Sequence, residues 1–160
     1  MEPSEKERLL ELLESNRVTP ATRKALLERL TAQYQRKFFT KTQLEQLRAV
    51  ALRLVPHDPL ELDLAGPIDC RLAHGDSKGW RYADLPLETN PYGALLEALP
   101  KNFLQLEGDA QDALLEGLQK KFSRAFEDLL AELVEIYYAH PLVQVRIGYY
   151  GFADAQGWTL

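Results

Sequence analysis

The residues best equipped for chemistry in this 160-residue chain are three histidines, His57, His74 and His140, and one cysteine, Cys70. A metal or nucleophilic site needs partners at ligand spacing. The only near pairs are His57-Asp58 and His74-x-Asp76. Neither sets two ligands one helical turn apart, as Glu-x-x-His or His-x-x-x-His would. Each histidine stands beside proline or glycine at an expected helix end. There an imidazole meets the negative end of the helix dipole and can hydrogen-bond a free carbonyl. Structural roles are expected for all three. The competing reading is a free-standing metal-binding protein or enzyme using His57, Asp58, His74 and Asp76.

A single cysteine allows neither an internal disulfide nor a cysteine-based zinc site. Cys70, in the apolar-periodic stretch Ile68-Asp69-Cys70-Arg71-Leu72, reads as a small core hydrophobe. Acid/base chemistry by paired carboxylates would need acids on an inward face. Glu127, Asp128, Glu132 and Glu135 crowd one helix, but they are expected on its solvated side, off the apolar stripe. Gly-x-Gly-x-x-Gly and Gly-x-x-x-x-Gly-Lys are absent, so no phosphate cradle is marked. No catalytic, cofactor-binding or metal-ligating residue is expected.

The C-terminal stretch differs in kind. Gly148, Tyr149, Tyr150, Gly151, Phe152, Gly157 and Trp158 lie close together, with Tyr137 and Tyr138 just upstream. Tyrosine and tryptophan are stiff and amphipathic and are enriched in interface hot spots. Glycine permits sharp bends and close approach. Two readings follow. The tail folds back to plug the core of its own bundle, or it belongs to a docking face made of Tyr137, Tyr138, Tyr149, Tyr150, Phe152 and Trp158.

The elements that must position these groups read as helices. Ser4-x-x-Glu7 and Thr40-x-x-Gln43 are capping boxes. Thr19-Pro20 opens a further helix, whose leucine stripe runs to about Gln35. Leu44, Leu47, Ala51 and Leu54 recur at helical spacing until Pro56. A proline-rich loop precedes a short helix near Pro67. Helices with Leu95 to Leu99 and Leu114 to Leu118 follow. The longest runs from about Ser123 to Ala139, with a wide stripe through Phe126, Leu129, Leu130 and Leu133. Val143 to Ile147 is the best candidate for a strand, but Pro141 suits a helix start. The expectation is an all-α fold: an irregular helical bundle of about six to seven helices with a short aromatic, glycine-rich C-terminal tail.

Length and composition fit one soluble domain, residues 1–160. Residues 1–55 carry 11 Lys/Arg against 7 Asp/Glu, and residues 56–160 carry 8 against 17. The basic arm alternates its signs along helices, so a nucleic-acid partner is not expected. No apolar run is long enough for a membrane helix. The charged start, without an apolar or twin-arginine segment, predicts a cytosolic chain unless a partner carries it.

Two stretches carry a resemblance. Phe38 to Pro59, FFTKTQLEQLRAVALRLVPHDP, resembles the opening of the gluconate 2-dehydrogenase subunit 3 family, with its Phe-Phe-Thr, amphipathic helix and hydrophobic-Pro-x-Asp stop. Ile68 to Ala73, IDCRLA, is similar to the segment that follows. The close is similar too, in His140-Pro141, Gly148-Tyr149-Tyr150-Gly151 and Gly157-Trp158. The resemblance spans 38–160 and leaves 1–37 as an N-terminal helical extension. It implies a non-catalytic accessory subunit, without a cofactor of its own, that binds and assists maturation of a large FAD-dependent sugar or alcohol dehydrogenase of the glucose-methanol-choline type. A cytochrome c subunit often completes such complexes. Family members commonly carry a twin-arginine signal, which this sequence lacks, so a periplasmic location would require export with the partner. The turn also lacks the Tyr-Gly-Gly-Asn of many relatives. A homo-oligomeric helical interaction protein is the third reading.

Overall fold

The computed structural model describes residues 4–76 and 90–155. They form eight α-helices: α1 (Glu5–Glu14), α2 (Pro20–Thr31), α3 (Lys41–Leu54), α4 (Ala65–His74), α5 (Gly93–Glu97), α6 (Gly108–Lys121), α7 (Ser123–Ala139) and α8 (Pro141–Arg146). A 3₁₀ turn, Phe103–Gln105, precedes α6, and no strand occurs among the described residues. The fold is all-α. Of the strand candidate Val143–Ile147, all but the C-cap Ile147 is helical, with Pro141 in the first turn of α8.

Both capping boxes form. The Ser4 hydroxyl accepts from the Glu7 amide while the Glu7 carboxylate accepts from the Ser4 amide, and Thr40 and Gln43 repeat the exchange. Reciprocal capping satisfies amides that the first helical turn leaves without partners. α2 ends at Thr31, about a turn before the leucine stripe implies.

The chain packs as two compact units, residues 1–33 with 137–160, and residues 34–136. In the first, Leu9 and Leu13 of α1, Leu26 of α2, and Leu142 and Val145 of α8 share a core with Val18 and Phe152. Arg23 closes the C-terminus of α1, its guanidinium donating to the carbonyls of Leu13 and Ser15. Arg146 of α8 pairs with Glu5 of α1 at 2.7 Å.

In the second unit, α3 lies at the centre, packed against α4, α5, α6 and the 3₁₀ turn. Leu47, Val50 and Ala51 are fully buried on it. Two contacts set the course of the chain into α3. The Asp69 carboxylate, 1% exposed, accepts from the backbone amides of Lys37, Phe38 and Phe39. Tyr34 lies over Gly66, where an added Cβ would come within 2.4 Å of Tyr34 Cβ. Helical geometry would turn these amides back onto their own helix. The draw of Asp69 instead extends the chain.

Glu132 departs from expectation. It is 2% exposed rather than solvated. Arg71 grips it with two bonds, Nε to Oε1 at 2.6 Å and Nη2 to Oε2 at 2.8 Å, and the Tyr92 hydroxyl donates to Oε2 at 2.6 Å. A buried carboxylate is tolerated because it is paired and hydrogen-bonded. Glu127 and Glu135, in contrast, are exposed as the sequence implies.

Candidate functional site

The aromatic tail divides between the two roles read from its sequence. Phe152 is buried, at 9% exposure, among Leu9, Leu13, Val18 and Leu26. Tyr149 and Tyr150 stay outside, at 49% and 43% exposure, with Ile147 at 54% and Tyr138 at 51%. Tyr137 is half-buried, its ring edge-on to Tyr138 at 5.2 Å. Trp158 and Gly157 lie outside the described residues.

Local geometry explains the division. α8 ends at Arg146, and Gly148 follows with φ +74°, a left-handed conformation that strains any residue with a Cβ. The Tyr149 amide donates back to Gln144 O at 2.8 Å, a closing bond of the Schellman type. Gln144 also donates from Nε2 to Tyr138 O at 3.2 Å. Gln144 thus bridges the end of α7 to the turn that carries Tyr149 and Tyr150. The Tyr149 ring folds over Gly151, where an added Cβ would meet its hydroxyl.

Beyond Phe152 the tail is clasped. Asp154 Oδ1 accepts from the Thr19 amide at 2.8 Å, and Oδ2 accepts from the hydroxyls of Thr19 and Thr22 at 2.9 and 2.7 Å. The Ala155 amide donates to Arg17 O at 2.9 Å. Asp154 therefore supplements the N-cap of α2. The Thr19 amide first, then the Thr22 hydroxyl, push its carboxyl down to about 2. A plug, Phe152, and a clasp, Asp154, thus hold Tyr149 and Tyr150 on the surface. Tyr150 also borders an open groove of about 390 Å³ beside α1, lined by Arg8, Glu11, Leu12, Ser15 and Arg17.

His57, Asp58 and His74 each engage a backbone group within four residues of their own position. His57 Nδ1 lies 2.6 Å from Val55 O, just past the end of α3. Asp58 organises a turn, its carboxylate accepting from the Leu60 amide at 2.9 Å. His74 Nδ1 lies 2.6 Å from Cys70 O in the last turn of α4, the carbonyl-capping role expected of it. The Asp76 carbonyl accepts from Arg71 Nη1. Cys70 is half-buried rather than core, with its sulfur 3.7 Å from His74 Nδ1. No group of three His, Cys, Asp or Glu side chains that could hold a metal ion is gathered among the described residues. No described helix is long and apolar enough to cross a membrane.

Sequence reasoning found the aromatic density but could not sort the rings. It also missed the clasp. The only available signal was a carboxylate, Asp154, far from any local helix start that it could cap. Comparison of the chain with known families, with curated proteins and with solved structures finds no match.

Proposed function

We propose that this chain is a non-catalytic accessory subunit that docks onto a larger protein and assists its maturation, the partner being a large FAD-dependent sugar or alcohol dehydrogenase. The observation that carries the docking reading is the exposure of Tyr138, Ile147, Tyr149 and Tyr150 on a unit whose own core Phe152 already fills. Aromatic rings held outward by a fixed backbone lose little entropy on binding, which favours them as interface anchors. The identity of the partner rests on the resemblance of Phe38 to Pro59, Ile68 to Ala73 and the tail to the gluconate 2-dehydrogenase subunit 3 family. The Asp69 anchor supports treating two of those stretches together, because it ties Phe38-Phe39 to Ile68-Asp69. The flavin belongs to the partner, and no group of this chain is assigned to it.

The test is capture of the tagged chain from its native cells, with mass spectrometry and a visible spectrum of the eluate. A large co-eluting protein with a flavin absorption band is expected. It should be lost in a Tyr149→Ser/Tyr150→Ser variant that keeps wild-type helicity. A colourless lone chain that is monomeric by light scattering would sink the reading. A colourless stable oligomer would replace it with self-association through the same rings.

A further inference from the structure

The second unit holds a cleft that the docking reading does not use. It has a volume of about 320 Å³, at the lower end of the range for small-ligand sites. Its walls come from α3 (Arg48, Ala51), the connecting loop (His57, Pro59, Leu62) and the start of α4 (Leu64, Ala65), with Asp63 at the junction. The apolar walls are firm. Leu62, Leu64, Ala51 and Ala65 are each at most 3% exposed. The loop is braced by Asp58, whose carbonyl accepts from the Glu61 and Leu62 amides.

The hydrogen bonds of the polar groups show which kind of ligand they lack. Asp63 is in use: it accepts from Arg48 Nε and Nη2 and from the Ala65 and Gly66 amides. Four bonds are about the capacity of a carboxylate. Arg48 is not in full use. A guanidinium carries five N–H donors, and the Nη1 edge of Arg48 has no hydrogen-bond partner among the described residues. The Asp63 carboxylate holds the fork rigidly and keeps it charged. Glu45 and Asp69 are more distant acids that oppose an anion, but a direct two-bond contact outweighs screened charges at longer range. His57 must carry its proton on Nδ1 to donate to Val55 O, which leaves Nε2 as the remaining polar atom of its ring.

We propose that this cleft binds a small carboxylate with an apolar body, the carboxylate on the open edge of Arg48 and the hydrocarbon against Pro59 and the ring of His57, over a floor closed by Leu62 and Leu64. The unmet capacity is donor-type, the fork matches a carboxylate in two bonds, and the remaining wall is hydrocarbon. The cleft shares no residue with the tyrosine face. A free acid and the C-terminal carboxylate of a peptide share this chemistry.

The experiment is a titration of the isotopically labelled full chain followed by NMR, using hexanoate, hexan-1-ol, hexylamine and the dipeptide acid acetyl-Gly-Leu. Saturable shifts at Ala51, Leu62, Leu64 and the His57 ring are expected with a carboxylate and not with hexylamine. Hexan-1-ol should bind about tenfold or more weakly, as loss of a charge-assisted contact implies. Tighter binding of hexanoate or of the dipeptide assigns the source as a free acid or a chain terminus. Arg48→Met, checked for wild-type helicity, should weaken the carboxylate by a similar factor. Equal binding of hexanoate and hexan-1-ol, shifts that do not saturate, or hexanoate affinity unchanged in folded Arg48→Met would overturn the proposal. The wild-type ligand comparison decides it even if the variant fails to fold.

Discussion

Replacing Asp69 with alanine should be among the most damaging single changes in the second unit. The Phe39 amide, bonded to Asp69 at 2.7 Å, is buried, and those of Lys37 and Phe38 are part-buried. A buried amide left without a partner costs about 1–3 kcal/mol. The two part-buried amides can recruit water and fall at the low end, so the sum is about 3–5 kcal/mol. That is a large share of a domain stability of about 5–15 kcal/mol. Asp69→Asn keeps one oxygen for the Phe38 and Phe39 amides but turns an NH₂ toward the Lys37 amide. Its cost should be smaller, about 1–3 kcal/mol. Urea unfolding followed by circular dichroism measures the totals. Amide exchange at Phe38 and Phe39 locates the effect, because protection there should fall before protection in α6 does. If Asp69→Ala lies within about 1 kcal/mol of wild type and those amides stay protected, the carboxylate is not the anchor, and the link between the Phe-Phe-Thr and Ile-Asp stretches has no energetic content.

Other perturbations separate plug, clasp and face. Phe152→Ala should destabilise the first unit by about 3–5 kcal/mol, read as lost amide protection in α1 and α8. Tyr149→Ser and Tyr150→Ser, at exposed positions, should change stability by less than about 1 kcal/mol while removing partner capture. Asp154 has a folded-state pKa of about 2, below the ordinary carboxylate value of about 3.9. Its contribution is therefore fully present above about pH 4 and lost as pH falls toward 2. An NMR pH titration should show the Thr19 and Thr22 amides shifting in that window, and Asp154→Asn should abolish the transition. Glu132→Ala should cost about 3–5 kcal/mol by leaving Arg71 and Tyr92 without their partner, whereas Glu132→Leu with Arg71→Met should cost less than the single change. A thermal double-mutant cycle measures that coupling.

Phe152 also changes how the tail must be tested. Deleting everything from Gly148 onward would remove the docking tyrosines together with a core side chain and the α2 clasp. Loss of binding would then not distinguish an interface from an unfolded unit. Point changes at Tyr149 and Tyr150 avoid this, because both rings lie largely outside the core.

Much of the helical architecture was legible in the chain alone. The capping boxes at Ser4 and Thr40, the Thr19-Pro20 start, the stops at Pro56 and His140-Pro141, and the leucine spacing of α3 act between residues three or four apart. Such signals do not depend on what lies across the fold. The aromatic density of the tail was equally plain. Tertiary structure decided which residues leave their expected surroundings. Glu132 is buried because Arg71, 61 positions away, neutralises it. α2 stops early, and the chain beyond it extends to bring the amides of Lys37 to Phe39 onto Asp69. Phe152 turns inward while Tyr149 and Tyr150 remain outside because Asp154 reaches Thr19 across 135 residues. Periodicity records the face of a helix that seeks cover, but the partner that supplies the cover, or that neutralises a charge, is chosen by contacts between distant segments, and no local pattern encodes that choice.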